Sequence, residues 1–133
     1  MLEKSDFVES SWLRWSAENP EDADVLIMGI PFDNAVSLNK GAAKAPDNLR
    51  RLSVDLSDTT DVFRPIKNGV LYDFGDIRSE LDWNRYFGSV EASALELMKL
   101  ERFCLFLGGD HSVTIPLPKA FGANFDGKKI GIL

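Results

Sequence analysis

Three short stretches of the chain place glycine beside aspartate: Gly29-Ile30-Pro31-Phe32-Asp33-Asn34, Asp73-Phe74-Gly75-Asp76 and Gly108-Gly109-Asp110-His111-Ser112. Glycine lets a backbone turn sharply or approach another group closely. Aspartate supplies either a turn or helix cap or a hard oxygen ligand. The third stretch carries His111, the only histidine of the chain, and an imidazole can ligate a metal or move a proton near neutral pH. A lone histidine also serves structural or merely exposed roles. Its place after Gly-Gly-Asp makes metal ligation or catalysis an equal contender. Asp110-His111-Ser112 does not suit a hydrolytic triad, because three consecutive side chains point apart while a triad imidazole bridges two groups. Asp110 is better suited to fixing the turn or the imidazole, and Ser112 to capping the next helix.

Each stretch ends an apolar run. Residues 24–32 (DVLIMGIPF), 69–74 (GVLYDF) and 103–108 (FCLFLG) read as buried strands, short and closed by turn residues. Residues 129–133 (KIGIL) read as the beginning of a fourth. Helices are expected near 46–53, with Pro46 at the first turn, near 89–102 and near 112–121, the last bounded or broken by Pro116 and Pro118. In the 89–102 segment Val90, Ala94, Leu97 and Met98 share one face at helical spacing. The first twenty-odd residues read as a lead-in with one short amphipathic turn. Apolar runs alternating with helical patterns predict an α/β fold around a parallel sheet, and such folds collect ligands beyond the carboxyl ends of the strands.

Composition narrows the function classes. The chain has 133 residues, 44% apolar and 27% charged, the profile of one soluble globular domain or part of one. Its net charge of −6 argues against a nucleic-acid binder, which would carry a basic face. No run approaches the roughly 18 apolar residues of a membrane span. The start, Met1 to Asp6, lacks the basic and apolar regions of a secretory signal. Cys104, the single cysteine, reads as a small buried hydrophobe rather than a reactive thiol, so a cytoplasmic protein is expected. A dinucleotide-binding reading fails because no Gly-x-Gly-x-x-Gly comes after the first strand.

Four motifs together resemble the manganese-dependent ureohydrolases, the arginase and agmatinase family. Leu107 to Ser112 is similar to the signature whose Gly-Gly-Asp-His-Ser turn places a metal-ligating histidine. Gly29 to Asp33 resembles the first-strand motif. Gly41 to Pro46, with Leu49-Arg50 after it, resembles the family's loop and helix start, with Asn39-Lys40 where many agmatinases carry Arg-Pro. Asp73 to Asp76 resembles the second-strand turn. The four occur in the family's order across residues 24–133.

The resemblance implies a three-layer α/β/α domain with a parallel sheet, incomplete here, with the sequence stopping in its fourth strand. It implies hydrolysis of a guanidino or formimino C–N bond, with a water activated between two Mn²⁺ ions about 3.5–4 Å apart. It assigns His111 as a metal ligand, oriented through its other nitrogen by Asp110 or a backbone carbonyl. It assigns no ligand role to Asp33, Asp73, Asp76 or Asp110, which read as turn and helix caps. The remaining ligands of the family lie in an Asp-x-His-x-Asp motif and a later Asp-x-Asp, neither of which occurs after His111. The chain alone is therefore expected to lack turnover. A small cationic guanidino or formimino substrate and a homo-oligomer are implied, with neither nucleic acid nor membrane as partner. The competing expectation is a non-catalytic α/β module that binds a partner.

Overall fold

A computed structural model describes residues 2, 6–8, 12, 15–57, 59–65, 69–125 and 127. Four strands form one sheet: β1 (Phe7–Val8), β2 (Val25–Ile30), β3 (Leu71–Ile77) and β4 (Phe103–Gly108). Three α-helices connect or flank them: α1 (Ala45–Leu52), α2 (Trp83–Met98) and α3 (Pro116–Asn124). The strand order is β1-β3-β2-β4. β2 runs parallel to both β3 and β4, as the sequence predicts, and its pairing with β4 is in register from Val25↔Phe103 to Ile30↔Gly108.

The short β1 pairs antiparallel with β3 at Phe7↔Ile77 and Val8↔Asp76. It replaces part of the expected lead-in, and it gives an otherwise parallel sheet an antiparallel edge. Two residues carry too little pattern to announce a strand; the partner that makes them one lies about seventy residues away. The strand expected at 129–133 falls outside the described residues.

The layers are set by the two-residue repeat of β2. Leu26, Met28 and Ile30 are fully buried in a cluster with Tyr86, Val90, Ala94 and Leu97 of α2 and Ala120 of α3. Ile27, equally buried, stands outside that cluster. It lies on the opposite face, the side from which Arg50 of α1 approaches Gly29. One helix on one face and two on the other make three layers around a mixed sheet. Burying each large apolar side chain of α2 contributes about 1.5–3 kcal/mol, which is why α2 and the strands it covers hold the centre of the fold.

α2 begins six residues before the expected start. Asp82 caps it by accepting the Arg85 amide at 2.9 Å, and Trp83, Tyr86, Phe87 and Val90 follow at helical spacing, a start signal that sequence reasoning passed over. It ends before the expected 102, at Met98, and Glu101 turns the chain with φ 55°. The helix expected at 112–121 is split. A 3-10 turn at His111–Thr114 precedes α3, and Pro116, which has no amide to donate, stands at the junction. β3 runs on to Ile77, through residues that read locally as a turn.

Candidate functional site

The carboxyl ends of β2 and β4 lie side by side, because Ile30 and Gly108 are register partners. The exits of the two strands interlock. The Asp110 amide donates to the Phe32 carbonyl at 2.7 Å. A Cβ on Gly109 would sit 2.0 Å from the Phe32 carbonyl oxygen, so only glycine allows this approach. Phe32 is itself held by rings: Tyr86 stacks on it with centroids 5.2 Å apart, and Trp83 meets it edge-on at 5.4 Å.

Asp110 then fastens the turn. One carboxylate oxygen accepts the Ala35 amide at 3.0 Å, and the other accepts both the amide and the hydroxyl of Ser112. Burial alone would push this carboxyl up. The hydroxyl of Ser112, the amides of Ala35 and Ser112, and the charge of His111 together outweigh burial and hold it below the ordinary carboxylate range. Asp110, not Ser112, is therefore the cap of this turn. Of the two roles open to it, Asp110 takes the turn here: its oxygens are spent on backbone amides and Ser112, and His111 makes no side-chain hydrogen bond among the described residues. His111 is exposed as the first residue of the 3-10 turn. It stands at the strand-end surface, not buried against α2.

On the β2 side the exit loop closes on itself. Asp33 accepts the Gly41 amide at 2.8 Å, Lys40 donates to Asn34 at 2.7 Å, and Gly41 adopts φ 142°. Asp33 is thus a loop fastener, as a capping role predicts.

Asp73 and Asp76 go beyond the capping role. Both bind the guanidinium of Arg50, a side chain only 2% exposed. Arg50 Nε and Nη2 donate to the two oxygens of Asp73 at 2.7 and 2.9 Å, and Nη1 donates to Asp76 Oδ1. Asp73 also accepts the amides of Trp12 and Gly75, each at 2.9 Å. Burial would lower the pKa of Arg50, but the hydrogen bonds and charges of the two carboxylates raise it. Gly29 makes room for the cluster, since a Cβ there would lie 1.8 Å from Asp76 Oδ1. Arg50 is the residue that sequence reasoning missed. Its signal was the spacing Pro46, Arg50, Ser53, an inward stripe at helical intervals in which all three are buried. Cys104 is half-buried rather than fully buried, and burial pushes its thiol up, in keeping with an inert role.

Sheet order, layering and the interlocked turns define a three-layer α/β domain whose candidate site lies beyond the strands. The sequence profile of the arginase family matches residues 23–133, and the chain belongs to that family. It is 35% identical over 114 residues to an agmatinase of Neisseria gonorrhoeae, covering 77% of this chain and 35% of that protein. It is 32% identical to an agmatinase of Edwardsiella ictaluri over 78% of this chain and 36% of that protein. Among solved structures, the agmatine ureohydrolase of Thermoplasma volcanium superposes with a TM-score of 0.72 at 28% identity, covering 85% of this chain and 39% of that one. A Trypanosoma cruzi formiminoglutamase with Mn²⁺ superposes with a TM-score of 0.74 at 25% identity, covering 84% and 39%. The chain spans about a third of the length of the curated relatives.

Among the described residues no group of three or more His, Cys, Asp or Glu side chains converges as a metal site. The described acids nearest the strand ends are already occupied by Arg50 and by backbone amides. These residues do not by themselves fit the binuclear centre that the resemblance implies. No described helix is long and apolar enough to cross a membrane.

Proposed function

We propose that this chain forms the His111-bearing part of a ureohydrolase domain that cleaves a C–N bond of a guanidino or formimino substrate in a manganese-dependent reaction. The observation that carries the reading is the exposed imidazole of His111 at the carboxyl end of β4. It is held there by a turn that Asp110 fastens to the neighbouring strand exit. Agmatinases as relatives and a manganese-bearing formiminoglutamase as a structural neighbour support the substrate class and the metal. In this reading His111 is a metal ligand, no described residue is the catalytic group, and the protein is a cytoplasmic homo-oligomer. The chain by itself holds Mn²⁺ weakly and does not turn over, because one imidazole supplies too few donors.

Calorimetric titration of the purified chain with Mn²⁺, beside His111→Ala, tests this. Weak binding that His111→Ala abolishes is expected, with no urea or formamide released from agmatine or formiminoglutamate. Tight binding of two metals, turnover by the chain, or binding indifferent to His111→Ala would overturn it.

A further inference from the structure

β4 is the last strand of the described sheet, with β2 on one side and no described strand on the other. Its sequence, Phe-Cys-Leu-Phe-Leu-Gly, holds none of the devices that blunt a sheet edge: no charge, no proline and no bulge in its register. At six residues it offers a far longer edge than the two-residue β1 on the opposite side. The faces beside this edge are open as well. Phe103 and Leu105 share the face of Val25 and Ile27, their register partners, and are 70% and 37% exposed. On the other face Cys104 and Phe106 line a groove of about 670 Å³ together with Phe121 and Phe125. Apolar surface thus flanks, on both sides, a row of backbone groups that no described strand pairs.

We propose that the edge of β4 docks a second copy of this chain, the two β4 strands pairing antiparallel across a twofold axis into one continuous sheet. Charge selects this occupant. The chain carries a net charge of −6, yet β4 itself carries none, so its copy can approach here without like-charge repulsion. Opposite charges bracket the strand, Arg102 before it and Asp110 after it. Antiparallel pairing sets the basic end of each strand beside the acidic end of the other, and unlike charges across a strand pair are favourable where like charges are not. Glu101 lies off the strand line, because the chain turns there with φ 55°. The contact uses the same surface on both copies, so it closes at two. It assigns a surface to the homo-oligomer of the functional reading and uses none of that reading's chemistry.

Analytical ultracentrifugation of the full chain over a range of concentrations tests it, beside Phe103→Lys, Leu105→Lys and, as a control, Leu81→Lys at an exposed apolar position away from β4. A monomer–dimer equilibrium is expected. Each β4 variant should weaken it by roughly tenfold or more with an unchanged circular-dichroism spectrum, and the control should leave it alone. Amide hydrogen exchange across residues 103–108 should slow as concentration rises. A monomer at every concentration, growth past two copies, or a dimer indifferent to both β4 variants would overturn the proposal; the last would leave the functional reading standing. A monomer whose β4 amides are protected at every concentration would show that another part of the chain covers the edge, and rejects the second copy. If Leu105→Lys does not fold, the more exposed Phe103 decides.

Discussion

Tyr86 is a side chain whose environment can be read by titration. Burial, reinforced by the charge of Asp76, raises its pKa well above the ordinary phenol value. In the unfolded chain the phenol ionises near pH 10; in the folded chain it stays neutral to higher pH. Between those two values the unfolded state has lost a proton that the folded state keeps, so stability falls as pH rises. Below about pH 10 the contribution is fully present. Urea denaturation at stepped alkaline pH should therefore show the difference between parent and Tyr86→Phe shifting against the parent above that point. Parallel curves would mean that the phenol is not shielded. The same residue scale explains why Gly29 and Gly109 are fixed. Each occupies a place where a Cβ would strike a carboxylate or a carbonyl.

At the scale of elements, α2 depends on its first turn. Asp82 satisfies one amide that the helix itself leaves unpaired, and Asp82→Ala should cost about 1 kcal/mol, read as a lower urea midpoint with an unchanged slope. No loss would show that the aromatic packing of Trp83 and Tyr86 sets the helix start. The strands at 25–30 and 103–108 were legible because both write continuous apolar runs, but only the first is buried as expected: β4 ends the described sheet and leaves Phe103 and Leu105 exposed. The end of β3 was not legible. Gly75-Asp76 looks locally like a turn, and it continues the strand because a guanidinium from a different element takes up both carboxylates. The start of α2 was legible and overlooked: Asp82 is a favoured cap, and Trp83, Tyr86, Phe87 and Val90 after it share one helical face. Of the candidate site, the position of His111 was legible. The role of Asp110 as a backbone fastener became visible only once Ala35 was known to lie beside it.

For the molecule as a whole, Arg50 is the tie between layers. It joins α1 to β3 beside Gly29 of β2, and it is almost wholly enclosed. Removing one partner of a buried ion cluster leaves the other charges without compensation, so Arg50→Met should destabilise the fold by about 3–5 kcal/mol. Arg50→Lys should recover only part of this, since an ammonium cannot match the two-pronged geometry. Equilibrium unfolding of the two variants checks the order, and equal stabilities would show that charge alone suffices.

The contact between Gly109 and Phe32 bears on modularity. The turn that presents His111 is cast against the exit of another strand, with Phe32 and Ala35 as part of the mould. It is therefore not a portable motif of five residues. Grafting Gly108 to Ser112 onto a foreign sheet would carry the letters of the turn without its shape, unless residues 31–35 travelled with it. Lengthening the β2 exit by a residue would move the imidazole without touching the segment that contains it.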